Sequence, residues 1–347
     1  MKKYFAHLAT LIASLLLGTS VWATPFDGLY VFGDSLSDAG NNPSAVLSIY
    51  KILGTFYNVP GVCDPGHPCP PYDSGRYSNG PVAAEYVANA ILPGGANPTN
   101  FFSFAVAGAT TGIGNYGDGG KAGSKGAYGL PGIAQEIGLY NSLSGGVADP
   151  NALYFVWGGA NDFLTLDYPT LAAQNIAAYV AELAGEGATH ILVPNLPDLG
   201  LTPYVQSLGS TAVATAQGFS QLFNTTLAGL LDNLDSQFPN ADIIQFDTYS
   251  FLNDVVANPA RYGFTDTQDA CLSSQLVPCA NPNQYVFWDG FHPTTQADAV
   301  IAAAFASAVP EPSTIALLAA GLLASLAANM RGRRMIRPVL NLVGNLA

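Results

Sequence analysis

The sequence predicts an α/β protein, a three-layer α/β/α sandwich around a central parallel five-stranded sheet. Three observations carry that expectation. Short segments rich in β-branched and aromatic residues recur at residues 29–32, 101–104, 153–157, 190–193 and 243–246, each bounded by Gly, Pro, Asn or Asp. Helical patterns lie between the later ones, at residues 171–184 and 214–235. The strand segments are also continuously apolar rather than alternating, as strands covered on both faces must be.

The chain opens with a segment that does not belong to that sandwich. Lys2 and Lys3 precede an apolar run centred on residues 11–17, and Val21-Trp22-Ala23 closes it with small residues. This order reads as a secretory signal, residues 1–23, cut after Ala23. The alternative of a spanning helix fits poorly, because the run is too short to cross a bilayer comfortably.

Residues 24–308 are expected to form one domain large enough to bury a substantial core. This body holds five basic residues (Lys51, Arg76, Lys121, Lys125, Arg261) against 23 acidic ones, a net charge near −18 where the whole chain has −13. So acidic a body excludes nucleic acid and anionic membrane surfaces as partners, and membrane contact is expected only through the terminal segments. Cys63 and Cys69 form one local pair of cysteines, Cys271 and Cys279 the other. In an exported chain two short disulfide loops are the simplest connectivity. His67, between the first two cysteines, leaves metal binding as the competing reading. Residues 111–131 are glycine-rich and poor in apolar side chains, and read as a mobile loop near the site, a lid or a flexible insertion.

The tail, residues 309–347, repeats the logic of the first segment in a different order. Val309-Pro310-Glu311-Pro312-Ser313-Thr314 is a proline-stiffened break, residues 315–328 are apolar, and Arg331, Arg333 and Arg334 form a basic stop. The expected structure is a short transmembrane helix. An amphipathic helix is the bland alternative, but the apolar stretch lacks the helical period.

Sheets of this kind bind ligands outside the carboxyl ends of their strands. Those ends carry Gly33-Asp34-Ser35, Ala107-Gly108-Ala109, Gly158-Gly159-Ala160-Asn161-Asp162 and Pro194-Asn195. A serine there needs a base at neutral pH, and four histidines compete for the role. His7 goes with the signal, His67 is confined in the cysteine loop and His190 opens a buried strand. His292 remains, in Asp289-Gly290-Phe291-His292-Pro293 just before a helix expected to open near Gln296. Asp289, three residues earlier across a glycine turn, can reach the imidazole and fix its tautomer. Alone, this segment reads equally well as a turn and a helix start.

Ser35 follows a strand at a glycine, where it is expected to start a helix with its hydroxyl in the crevice. A helix cap is the plain alternative. Gly108, lacking a Cβ, lets its N–H approach a bound oxygen, and the Asn161 amide can donate to the same point. With the N–H of Ser35 they make a three-donor oxyanion hole. Singly, Gly108 reads as a packing glycine and Asn161 as a turn residue; it is the set that points to acyl transfer. The Gly-x-Ser-x-Gly elbow of α/β-hydrolases is absent.

Phe32-Gly33-Asp34-Ser35-Leu36-Ser37-Asp38 resembles the first block of the GDSL esterases and lipases of the SGNH hydrolase superfamily. Phe104-Ala105-Val106-Ala107-Gly108-Ala109-Thr110 resembles the second, Gly159-Ala160-Asn161-Asp162 the third and Asp289-Gly290-Phe291-His292-Pro293 the fifth. Gly75-Arg76-Tyr77-Ser78-Asn79-Gly80-Pro81 and Asn195-Leu196-Pro197-Asp198-Leu199-Gly200 also match that family. The resemblance implies Ser35 as nucleophile, Asp289 and His292 as the rest of a triad, and Gly108 and Asn161 as oxyanion donors. Ala107 departs from it, since many members carry another glycine there. The tail resembles the PEP-CTERM sorting signal of Gram-negative bacteria, which implies an exosortase-type partner; residues 335–347 extend past the usual end.

Together these readings give an exported serine esterase or lipase acting on a small-molecule, lipid or acylated-sugar ester, with no metal or organic cofactor. A polysaccharide O-deacetylase or a phospholipase of the same fold is the nearer rival. A non-catalytic extracellular matrix or adhesion protein is the farther one.

Overall fold

The computed structural model describes residues 26–310; the signal expected over residues 1–23 and the tail beyond Pro310 lie outside the described residues. Five strands form one sheet, β1 (Leu29–Gly33), β2 (Phe101–Ser103), β3 (Leu153–Trp157), β4 (His190–Pro194) and β5 (Asp242–Phe246). Their order is β2-β1-β3-β4-β5 and every pairing is parallel. The expected α/β sandwich with five parallel strands is therefore the fold.

Parallel neighbours need crossovers, and helices supply them on both faces. On one face lie α3 (Ile133–Ser144), α5 (Pro169–Gly185) and α7 (Ser210–Gln237), packed through Ile133, Ile137, Ile176, Val180, Phe223 and Leu227 onto Phe32, Tyr154 and Val156. On the other lie α2 (Ala83–Ile91) and α10 (Thr295–Ala308), packed through Val87 and Phe305 onto Val31, Phe155 and Trp157. Successive β3 residues thus serve opposite cores, which is why Leu-Tyr-Phe-Val-Trp carries no polar position. Truncating Phe155, which sits 5.6 Å from the Phe305 ring, is expected to cost about 3–5 kcal/mol.

The remaining helices are α1 (Ile49–Tyr57), α4 (Ala160–Leu164), α6 (Pro203–Ser207), α8 (Thr248–Ala257) and α9 (Pro259–Tyr262). A second, two-stranded sheet joins β6 (Asp266–Ala270) to β7 (Tyr285–Phe287). Sequence patterning misses it, because Asp-Thr-Gln-Asp-Ala has no apolar run to announce a strand. Both expected disulfides are present, Cys63–Cys69 and Cys271–Cys279. No helix among the described residues is long and apolar enough to cross a membrane. The helix expected after Thr314 falls outside them.

Two local expectations are corrected. Ser35 does not start a helix: the Ser37 and Asp38 N–H groups both donate to the Asp34 carbonyl, closing a single turn. The helix cannot continue, because Asp38 turns its carboxylate onto the N–H groups of Gly40 and Ile49, and Gly40 has φ +55°. Nor is the glycine-rich segment over residues 111–131 a loose insertion. Thr111 donates through both N–H and hydroxyl to Asp162, Asp118 accepts from Tyr128 and Leu130, and Ile113 donates to Ala122. Several of its glycines permit close approach: a Cβ on Gly112 would come within 1.9 Å of the Ala122 carbonyl oxygen.

Candidate active site

The carboxyl ends of β1, β2 and β3 lie side by side because β1 pairs in parallel with both of the others. Gly33 ends β1 against β3, where a Cβ would fall 2.3 Å from the Trp157 carbonyl oxygen. Glu136 of α3 then ties two strand exits together, its Oε2 accepting the Gly33 N–H at 2.8 Å and its Oε1 the Val106 N–H at 3.1 Å. Burial, with Asp34 and Asp38 nearby, raises the Glu136 carboxyl well above its ordinary range despite those donors. Asp38 makes the second tie by accepting the Ala107 N–H at 2.8 Å. Ala107 itself is buried.

Gly108 follows in the left-handed region at φ +81°, where a Cβ would lie 2.3 Å from Asn115 Oδ1. Asn115 cannot yield easily, since it is fully buried. Its Nδ2 donates to Ala107 O at 2.9 Å and Pro131 O at 3.0 Å, and its Oδ1 accepts from Gly117 N at 2.8 Å. The glycine at 108 is thus required by conformation and by space together. Asn161 is the second residue of α4, whose N-cap Gly159 has φ +118°. Its amide donates to Ala109 O at 3.0 Å and Asp34 Oδ2 at 3.3 Å.

His292 arrives from the far end of the chain. The Trp288 N–H donates to the His292 carbonyl at 2.7 Å, closing the turn, and Thr294 caps α10 immediately after it. The stretch Gly75–Pro81 holds this turn from outside: Ser78 Oγ donates to Pro293 O, Asn79 Oδ1 accepts from Thr295 N and Pro81 O accepts from Thr295 Oγ1, each at 2.9 Å. The structure brings His292 Nε2 to 2.9 Å from Ser35 Oγ, across 257 residues of sequence. On its other side the His292 Nδ1–H donates to Asp289, 2.8 Å from Oδ2 and 2.9 Å from Oδ1.

Asp289 is well supplied with donors. Oδ1 also accepts the Phe291 and His292 N–H groups, each at 2.8 Å, and Oδ2 accepts the Tyr72 hydroxyl at 2.7 Å. Burial alone would raise this carboxyl, but the adjacent imidazole and these donors outweigh it and hold it well below the usual carboxylate range. At Asp34 burial outweighs the donors Leu36 N–H and Asn161, and pushes the carboxyl up to about 6.

Ser35, Gly108, Asn161 and His292 all line one cavity of about 540 Å³. Its remaining wall is mostly apolar, including Leu36, Leu53, Leu130, Trp157, Phe163 and Phe291. Five sequence-predicted residues therefore meet in one place: Ser35, Asp289 and His292 in a hydrogen-bonded chain, Gly108 and Asn161 beside them. His190 lies at the opposite end of β4, as a strand-opening residue would. Sequence reasoning missed Glu136, Asn115 and Tyr72, which have no local signature, and set aside His67, which also lines the cavity. His67, Asp289 and His292 present ligand-type atoms within 4.8 Å of one another. The Asp289 oxygens are already taken up by His292, Tyr72 and two backbone N–H groups, so the arrangement is first a hydrogen-bonding one.

Comparison with known proteins adds a family to this geometry. The family model described as GDSL-like lipase/acylhydrolase matches residues 29–305, and that of the PEP-CTERM protein-sorting motif matches residues 308–334, stopping at Arg334. A GDSL esterase/lipase of Arabidopsis thaliana is 27% identical over 84% of this chain and 92% of its own length. A second one from the same plant is 29% identical over 86% and 96%. A lipolytic G-D-S-L family protein of known structure from Veillonella parvula is 14% identical, covering 80% of this chain and 94% of its own, with a TM-score of 0.40.

Proposed function

Because the chain belongs to the GDSL-like lipase/acylhydrolase family, we propose that it hydrolyses carboxylic esters through an acyl-serine intermediate on Ser35. The observation that carries this reading is the unbroken chain Ser35 Oγ, His292 Nε2, His292 Nδ1 and Asp289, with contacts of 2.9 and 2.8 Å.

The chemistry follows from those atoms. Ser35 Oγ attacks the ester carbonyl as His292 Nε2 takes its proton, and Asp289 stabilises the imidazolium that forms. Negative charge develops on the carbonyl oxygen, for which the N–H groups of Ser35 and Gly108 are donors, joined by the Asn161 amide as it turns its long 3.3 Å bond from Asp34 Oδ2 to the oxyanion. His292 then hands its proton to the departing alcohol oxygen. A water enters and bonds the acyl carbon as its proton passes to the same nitrogen; the bond to Ser35 Oγ then breaks, Oγ takes that proton back and the acid leaves. No step asks for a group outside these residues.

The PEP-CTERM motif indicates export in a Gram-negative bacterium and implies exosortase-type sorting. We assign residues 1–23 to a removable signal, residues 24–308 to the hydrolase body and residues 309–347 to the sorting tail. The test is direct. The purified protein is expected to hydrolyse short-chain nitrophenyl esters and to lose that activity, with its fold intact by circular dichroism, on Ser35→Ala. A serine-directed phosphonate should label Ser35 in the parent. Turnover undiminished in the Ser35→Ala protein sinks the assignment, and absence of labelling in the parent favours a non-catalytic scaffold.

A further inference from the structure

Beside the proposed base, the Cys63–Cys69 loop carries a second Asp-x-x-His turn. Asp64-Pro65-Gly66-His67 has the spacing of Asp289-Gly290-Phe291-His292, and its hydrogen bonds repeat the same plan. The His67 Nδ1–H donates to Asp64 Oδ2 at 2.9 Å, as His292 does to Asp289. Asp64 Oδ1 accepts the Gly66 N–H at 2.9 Å, as Asp289 Oδ1 accepts that of Phe291. Asp64 Oδ2 accepts the Tyr77 hydroxyl at 2.6 Å, as Asp289 Oδ2 accepts that of Tyr72. The two imidazole centroids are 5.9 Å apart, and Tyr77 touches both, 4.1 Å from the His67 ring and 5.1 Å from that of His292.

A disulfide, a carboxylate and a tyrosine thus hold one imidazole at the wall of a largely apolar cavity. Asp64 accepts the hydrogen bond from Nδ1–H, so Nε2 is the atom left for hydrogen bonding. The alcohol oxygen of an ester must lie next to His292 Nε2 to receive its proton on leaving, whereas the carbonyl oxygen faces the N–H groups of Ser35 and Gly108. His67 lines the same cavity as Ser35 and His292, its ring 5.9 Å from the His292 ring, so an alcohol held beside His292 Nε2 has its substituents in the space that His67 borders.

We propose that His67, oriented by Asp64, is a hydrogen-bonding subsite for the alcohol part of the ester, and that it selects hydroxyl-bearing alcohols of the glyceryl or glycosyl kind over plain alkanols. This rests on the ester-hydrolase reading above and adds what that reading leaves open, the chemistry of the leaving group. The physical basis is that a polar group poised in an apolar site discriminates against a substrate that leaves it unpaired.

The experiment compares kcat/KM for glycerol monobutyrate and propyl butyrate, which share an acyl group and a three-carbon alcohol. The parent is expected to favour the glyceryl ester by about tenfold, the worth of roughly one good hydrogen bond. His67→Phe should abolish most of that preference, and His67→Gln, which keeps a hydrogen-bonding amide, should retain part of it. Phosphonate labelling of Ser35 in every sample reports an intact nucleophile. A parent without preference overturns the subsite, as does a His67→Phe protein that still labels and keeps the parent's ratio. If the parent neither labels nor cleaves either ester, the ester-hydrolase reading itself falls, and the subsite with it.

Discussion

The two Asp-x-x-His turns start from the same local design and end in different surroundings. At residues 289–292 both side chains are nearly enclosed, 11% exposed for His292 and 13% for Asp289, and the free imidazole nitrogen meets Ser35. At residues 64–67 both are 29% exposed, and the loop is fastened by a disulfide instead of by a helix cap. The Asp64 carboxyl is pushed up by burial, yet its bonds to His67, Tyr77 and the Gly66 N–H hold it near 2. Asp289 has one more backbone donor and a deeper position. An imidazole–carboxylate pair is thus a general device for orienting a nitrogen. Whether that nitrogen acts as base or as binding group depends on what the rest of the chain sets against it.

The comparison breaks most visibly at the proposed base. His292→Ala is expected to lower kcat/KM by about 10⁴-fold or more, as loss of a triad member does, in a steady-state assay with a nitrophenyl ester. A loss under tenfold would mean that the two turns do not differ in role. Next comes the oxyanion side, which only the turn at residues 289–292 faces through Ser35. Gly108→Ala forces a Cβ onto Asn115 at a left-handed φ, and should reduce kcat about 10²-fold with KM less affected.

A smaller effect separates the two tyrosines. Tyr72→Phe removes one donor from Asp289, which leaves the carboxylate more basic and the His292 imidazolium more stable. The acid limb of kcat/KM against pH should therefore move to higher pH, with about a three- to tenfold loss in rate at neutral pH. Tyr77→Phe should leave that limb in place; equal shifts from both would erase the distinction.

The smallest effect is on stability. Burial pushes Asp34 and Asp38 up to about 6 and Asp162 to about 7, so the neutral forms they favour contribute below about pH 4, and that contribution is lost as pH rises through 6 to 7. Asp64 and Asp289 act oppositely, adding stability above about pH 4 that is lost as pH falls toward 2. Calorimetry should find the highest Tm between about pH 4 and 6. A Tm that climbs steadily to about pH 8 would contradict the raised carboxyls.

Legibility in the sequence differs by residue. Leu153–Trp157 announces itself as a strand buried on both faces, and Asp289 with His292 declares a pair, because both depend on neighbours within a few positions. Asp64 with His67 carries the same spacing and is legible too, yet the flanking cysteines point first to a disulfide or a metal. Glu136 gives no sign, since a lone glutamate on a helix looks solvated until Gly33 lies 2.8 Å away. The glycines over residues 111–131 suggest motion, and only their contacts distinguish a glycine that flexes from one that makes room.

While the cysteine connectivity stayed open until the bonds Cys63–Cys69 and Cys271–Cys279 were seen, local signals alone were thus enough for the sheet, the layers and the five residues bound for one place. These rest on periodicity, spacing and motif, which act locally and can be read segment by segment. The tertiary structure alone decided how closely His292 meets the serine, that Tyr72 supports Asp289 from 217 residues away, and that His67 enters the same cavity. Contacts at that separation are fixed by the summed packing of the intervening elements, and no single segment carries that information.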